Sequence, residues 1–190
     1  MAKVLIIDNY DSFTFNLVHY VEGIINKKVT VLRNDEFELE EIDEYSHIIL
    51  SPGPGLPADT GQMNALIKRY ATSKSIFGVC LGMQAIAEHY GARLENLEEV
   101  YHGVATTIKR TREEMLFDGM PSEFDVGRYH SWIIQTDSLP DELETTSIGE
   151  NNRIMSIRHK THNVRGVQFH PESILTPLGK TIVENYLNHY

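Results

Sequence analysis

Apolar residues in the first half of the chain alternate between short continuous runs and stripes at helical spacing. Residues 4–7, His47–Leu50 and Ser75–Val79 are rich in aliphatic and β-branched side chains, and each run stops at a polar or glycine-rich turn. That is the pattern of strands buried on both faces. Between them the period lengthens. Phe13, Leu17, Val18 and Val21 share one face over 13–22, and Met63, Leu66, Ile67 and Tyr70 share one over 61–70, so both segments are expected as amphipathic helices. A weaker strand is expected at 29–32. The acidic stretch that follows it, with Glu36, Glu38, Glu40, Glu41, Asp43 and Glu44, is expected to form a solvated helix face.

Alternation of strand and helix implies right-handed crossovers and a parallel sheet covered on both faces. Past Gly91 the texture changes. Short strands are expected at 106–109, 124–126, 132–135, 155–158 and 164–169, followed by a closing helix over 178–190 with Ile182, Tyr186 and Leu187 on one side. The expected fold is α/β and doubly wound, with a mostly parallel sheet and additional antiparallel strands in the C-terminal half. Residues 1–190 are read as a single domain, because no repeat, low-complexity tract or linker divides them. Ligands of such sheets bind beyond the carboxyl ends of the strands, so the turns there are where chemistry is sought.

Composition removes several classes of function. The formal charge is −10, from 27 acids and 17 bases, and the bases are scattered apart from Lys109-Arg110-Thr111-Arg112, so nucleic acid is not an expected partner. No apolar run reaches the roughly 18 residues that suggest a membrane span, and the N-terminal run is read as a strand, not a signal peptide. One cysteine excludes an internal disulfide and thiolate-rich zinc sites, which makes the cytoplasm the expected compartment.

Three turns carry candidate chemistry. Ser51-Pro52-Gly53-Pro54-Gly55 follows the strand ending at Leu50. Its glycines leave backbone N–H groups unscreened, which suits an oxyanion or a ligand's backbone atoms, although a tight connection explains them equally well. Gly78-Val79-Cys80-Leu81-Gly82 has the form Gly-x-nucleophile-x-Gly at a strand-to-helix junction. There the helix Leu81–His89 would aim its positive end at the sulfur, and the N–H of Leu81 would be a natural oxyanion donor. A lone cysteine is more often a small core residue, but the flanking glycines reverse that preference. In Gly166-Val167-Gln168-Phe169-His170-Pro171-Glu172-Ser173, His170 ends a strand with a carboxylate two residues on, as expected for a general base and the group that orients it.

The remaining histidines are weaker candidates. His130 is the second choice for the base. His159 and His162 form a His-x-x-His pair in an expected hairpin, short of the three or four ligands a metal site needs, so no metal is assigned. His102-Gly103 fits a cleft wall or a solvated turn.

Taken in order, "SPGPG", "GVCLGMQ" and "VQFHPES" resemble the triad-type class I glutamine amidotransferases over nearly the whole chain, from Val4 to about Leu187. Within that family "DNYDSFTFNL" (8–17) and "GRYHSW" (127–132) are similar to the small subunits of anthranilate synthase and aminodeoxychorismate synthase. The resemblance implies a flavodoxin-like sheet and hydrolysis of L-glutamine to glutamate and ammonia. Cys80 would attack the carboxamide, His170 would shuttle protons and Glu172 would orient His170. Gly53 and Leu81 would form the oxyanion hole, and Gly53, Pro54, Gly55, Gln84, Ser131 and Trp132 would hold glutamine, the last two through backbone atoms.

The resemblance further implies a chorismate-binding synthase subunit as partner, contacted around Tyr10, Asp11, Ser12 and Phe13. No cofactor is expected in this chain, any Mg2+ lying on the synthase. Asp11, Ser12 or Thr14 is also expected to cap the first helix. Met83, Trp132 and the absence of a lysine after Gly103 depart from the usual pattern of this branch. Tryptophan and folate routes both fit, since one subunit could serve either. A γ-glutamyl hydrolase on the same fold, or a non-catalytic binding module, are the competing readings.

Overall fold

The computed structural model describes residues 3–188. Its elements run β1 (Val4–Asp8), α1 (Thr14–Ile25), β2 (Thr30–Arg33), β3 (His47–Leu50), α2 (Met63–Tyr70), β4 (Ser75–Val79), α3 (Leu81–His89), β5 (Leu94–Asn96), β6 (Val104–Arg110), β7 (Glu123–Arg128), β8 (Trp132–Ile134), β9 (Leu143–Ile148), β10 (Ile154–His159), β11 (Val164–Val167) and α4 (Gly179–Asn188). A nine-stranded sheet takes the order β2-β1-β3-β4-β11-β10-β9-β6-β7, and β5 pairs separately with β8. The strands from β2 to β11 are mutually parallel. Beyond β11 every pairing is antiparallel. This is the expected α/β, doubly wound, mostly parallel sheet with antiparallel strands added in the C-terminal half.

The double winding follows from the two-residue period of the buried strands. In β1, Leu5 and Ile7 join the core layer under α2 and α3, with Ile48, Leu50, Leu66, Ile67 and Ile86. Val4 and Ile6 point the other way and join Leu17, Val21, Ile182 and Tyr186 of α1 and α4. Both faces must therefore be covered, which is why these strands read as continuous apolar runs.

Several expectations need correction. β5 and β9 were not expected as strands. β9 is hidden because its sequence, LETTSI, does not alternate apolar with polar. Its buried hydroxyls are satisfied across the sheet instead, Thr146 Oγ1 and Ser147 Oγ lying 2.5 and 2.6 Å from Ser156 Oγ. The acidic stretch does present a solvated helix face as expected, the helix being a 3-10 turn over Leu39–Glu44 whose Ile42 is buried while Glu40 and Glu44 reach Arg69 and Lys3. No side chain caps α1 at Phe13. Asp11 Oδ1 accepts the N–H of Phe13 itself at 2.7 Å, and Asp8 Oδ1 accepts the Thr14 hydroxyl at 2.8 Å, so the polar residues fix the turn ahead of the helix. Of the closing helix expected over 178–190, residues 189–190 lie outside the described residues, as do residues 1–2 at the other end. Among the described residues no helix is long and apolar enough to cross a membrane.

Candidate active site

Cys80 sits between β4 and α3 with φ 52° and ψ −102°, a conformation that L-residues rarely adopt. Such a backbone costs on the order of 1–3 kcal/mol and persists only where its surroundings enforce it. Here the enforcement is steric. A Cβ on Gly82 would lie 2.5 Å from the carbonyl oxygen of Leu50, and one on Gly78 would lie 2.4 Å from the backbone of Gly82. The helix can thus start directly against β3 and β4 only because these two residues have no side chain. The N–H of Cys80 donates to Val167 O at 2.8 Å, which ties the turn to β11. Leu81 opens α3, so its N–H belongs to the first turn, where no helical carbonyl is available to it.

β11 lies parallel to β4 with Val167 opposite Val79, so both chains leave the sheet at the same level. Phe169 is completely buried, and the His170 that follows it is buried too, close enough to Cys80 for the two groups to interact electrostatically. Tyr129 packs on the imidazole with ring centroids 4.9 Å apart, and Phe13 with centroids 5.6 Å apart. Nδ1 of His170 lies 2.6 Å from Glu172 Oε1, and Nε2 is buried with no hydrogen-bond partner. Burial alone would lower the basicity of this ring. The hydrogen bond to Glu172 and the charge of its carboxylate, with the neighbouring Cys80, outweigh it, so His170 titrates well above the ordinary histidine value.

The loop after β3 completes one wall. Gly53 is pressed so closely against Asn9 and Leu81 that a Cβ there would meet them at 2.6 and 2.9 Å. Asn9 fixes the loop by donating from Nδ2 to Ser51 O at 2.8 Å and from its N–H to Ser51 Oγ at 2.9 Å. The resulting cleft of about 230 Å3 is lined by Gly53, Pro54, Gly55, Cys80, Leu81 and Gln84, and on the far side by Tyr101, His102, Tyr129, Ser131 and Trp132. Every glutamine-holding position expected from sequence therefore faces one cavity. Larger hollows exist, one of about 560 Å3 among Glu95, Glu98, Glu99 and Arg153, but it brings no nucleophile together with a base.

Ser131 and Trp132 have commitments of their own. Ser131 O accepts the N–H of Leu97 at 2.8 Å, while Trp132 O accepts both Gln84 Nε2 at 2.9 Å and His130 Nδ1 at 3.1 Å. His130 is spent on both nitrogens, because Arg128 Nε donates to its Nε2 at 3.2 Å. Burial and then the Arg128 charge push its pKa down to about 3, so it stays neutral and is unsuited to the role of base. His159 Nδ1 accepts the N–H groups of Thr161 and His162, which makes that pair a turn lock. Met83 is fully buried and packs against Gly166, away from the cleft. Of the residues expected at a partner interface, Tyr10 and Ser12 are exposed, Asp11 is half-buried, and Phe13 bridges this surface to Tyr129 and His170.

Asn9, Ser51, Arg128, Tyr129 and Gln168 were not singled out from the sequence. Asn9 and Gln168 each follow closely on a buried strand, the one available signal.

A doubly wound, mostly parallel α/β sheet here carries a strained cysteine beside a buried histidine–carboxylate pair. The chain belongs to the family "Glutamine amidotransferase class-I", whose model matches residues 5–189. It is 44% identical over 187 residues to anthranilate synthase component 2 of Lactococcus lactis, covering 97% of this chain and 93% of that protein. To anthranilate synthase component 2 of Pseudomonas aeruginosa it is 43% identical over 191 residues, covering 97% and 94%. The crystal structure of a glutamine amidotransferase from Thermotoga maritima superposes with a TM-score of 0.79 at 16% identity, covering 98% of this chain and 96% of that one, a likeness of fold.

Proposed function

We propose that this chain is the glutaminase subunit of anthranilate synthase, hydrolysing L-glutamine and passing ammonia to a chorismate-using synthase subunit in tryptophan biosynthesis. The observation that carries the chemistry is that Cys80, which lines a cleft walled by Gly53-Pro54-Gly55, Gln84 and Ser131-Trp132, has the buried His170–Glu172 pair as its neighbour. The choice of pathway rests on the full-length relatives named above.

In this reading the Cys80 sulfur attacks the side-chain amide carbon of glutamine. The oxyanion that forms accepts hydrogen bonds from the N–H groups of Gly53 and Leu81, which are preorganised by the close packing of Gly53 on Leu81. His170, held by Glu172, gives a proton to the departing nitrogen, so ammonia leaves and a thioester remains. Water then loses a proton to His170 and attacks the thioester, giving glutamate and regenerating the sulfur. Trp132 O already accepts two protein donors, whereas Ser131 O accepts one and keeps a lone pair for the amino group of glutamine. Free ammonia is protonated in bulk water, so a glutaminase of this size is useful when docked to an acceptor enzyme. The Tyr10–Phe13 turn suits that contact, since Phe13 connects it to His170.

The test is labelling of the pure chain with 6-diazo-5-oxo-L-norleucine, mapped by mass spectrometry with and without glutamine. It is followed by assay with each of the two chorismate-using synthases. Adduct on Cys80 that glutamine suppresses, with glutamine-dependent anthranilate formation, is the expected result. Productive coupling only to aminodeoxychorismate synthase would move the assignment to folate synthesis, and a preference for γ-glutamyl peptides over glutamine would overturn it.

A further inference from the structure

Gln168 is fully buried two residues before His170, and the mechanism above does not use it. Its Nε2 lies 3.5 Å from Cys80 Sγ, and its Oε1 accepts from Gln84 Nε2 at 3.1 Å. One orientation of the amide serves both neighbours. Reversed, it would set N–H against N–H at Gln84 and turn a carbonyl oxygen toward the sulfur.

The orientation is inherited from further away. Both N–H groups of Gln84 are committed, one to Gln168 and one to Trp132 O at 2.9 Å. Trp132 O also takes Nδ1–H of His130, whose tautomer is set by Arg128, a guanidinium that can only donate. The Arg128–His130 arm ends at Trp132 O; that carbonyl, which can only accept, fixes the Gln84 amide, and the Gln84–Gln168 arm carries the direction on to the sulfur. A thiolate is the form of cysteine that such a donor favours, and hydrogen bonds to an ionised acceptor are about twice as strong as neutral ones.

We propose that Gln168 is a catalytic residue that donates a hydrogen bond to the Cys80 thiolate, with Gln84 holding its amide in the donating orientation. The proposal rests on the reading of Cys80 as the nucleophile. It gives Gln84 two tasks, lining the substrate cleft and orienting the donor, so the wall that meets substrate and the atom that attacks it share one network. When the thioester collapses, the same N–H meets the sulfur as it leaves with negative charge.

The experiment is the rate of Cys80 alkylation by iodoacetamide as a function of pH, followed by intact mass, which is unambiguous because the chain has one cysteine. It needs neither glutamine nor a partner. In Gln168→Met, close in volume but without the donor, the pH of half-maximal rate is expected to rise by about one unit. The rate below the midpoint then falls about tenfold while the high-pH plateau holds. Gln84→Met releases the Gln168 amide and is expected to shift the profile the same way by less, which keeps the test decisive if the first variant does not fold. A Gln168→Met profile that superposes on wild type, or an unshifted Gln84→Met profile where Gln168→Met is unfolded, overturns the proposal. A shifted profile with no glutamine-protected labelling by diazo-oxo-norleucine would instead leave the donor in place and sink the glutaminase reading.

Discussion

His170 Nδ1 and Glu172 Oε1 are held 2.6 Å apart on a segment where both side chains are buried, so the carboxylate acts on the ring without dilution by solvent. The ring's native pKa is raised above its unfolded value near 6.5. The stabilisation from a protonated His170 is therefore fully present below about pH 6.5 and is lost as pH rises through the raised native value. Glu172→Gln removes one source of that rise. It is expected to lower kcat for glutamine hydrolysis roughly 10²–10⁴-fold. The alkaline limb of kcat/KM should move to lower pH, and folding stability should suffer more at acid than at alkaline pH. Rate profiles and urea melts across pH check all three, and an unmoved alkaline limb would contradict the pairing.

Cys80→Ser keeps the shape of the side chain and loses the nucleophile. Glutamine hydrolysis should fall by at least about 10³-fold, while the melting temperature stays within about 4 °C of wild type, the range of a near-isosteric exchange in a chain of this length. Hydrolysis that survives in the purified variant would remove Cys80 from its assigned role.

The backbone at Cys80 makes an unusual prediction about stability. With φ 52° and ψ −102°, alanine retains the strain and glycine relieves it. Cys80→Gly is therefore expected to be more stable than Cys80→Ala by about 1 kcal/mol or more, the reverse of the ordinary preference next to a helix. Denaturant titration of the two inactive variants decides it, and equal midpoints would mean that the turn is not strained.

Gly82→Ala drives a methyl group into the carbonyl of Leu50. α3 must then back away from the sheet, carrying Leu81 and the Cys80 turn with it. A destabilisation of about 1–3 kcal/mol is expected, with a loss of kcat larger than the fraction unfolded can explain. Activity measured well below the melting transition separates the two effects.

Much of this was legible along the chain. The strands His47–Leu50 and Ser75–Val79 and the helix Leu81–His89 have the boundaries their patterns imply, because a strand buried on both faces leaves a short, continuous, β-branched apolar run that stops at a turn. The turns after them stood out because a tight strand-to-helix junction demands glycine. What escaped was the part of the fold in which polar atoms satisfy one another. The buried face of β9 is held by Thr146, Ser147 and Ser156, whose residue types carry no hydrophobic period.

The same division holds in the site. Sequence by itself determined which turns are candidates for the chemistry, since Gly-x-Cys-x-Gly and His-Pro-Glu are local patterns set by sterics and by a two-residue reach. Only the tertiary structure decided that β11 lies beside β4, and so that residues 80 and 170 meet. It alone decided that His130 is locked neutral by Arg128 and that Gln168 points its amide at the sulfur. Those relations join residues far apart in sequence through directional hydrogen bonds, and burial, which makes each bond obligatory, is a property of the packed fold.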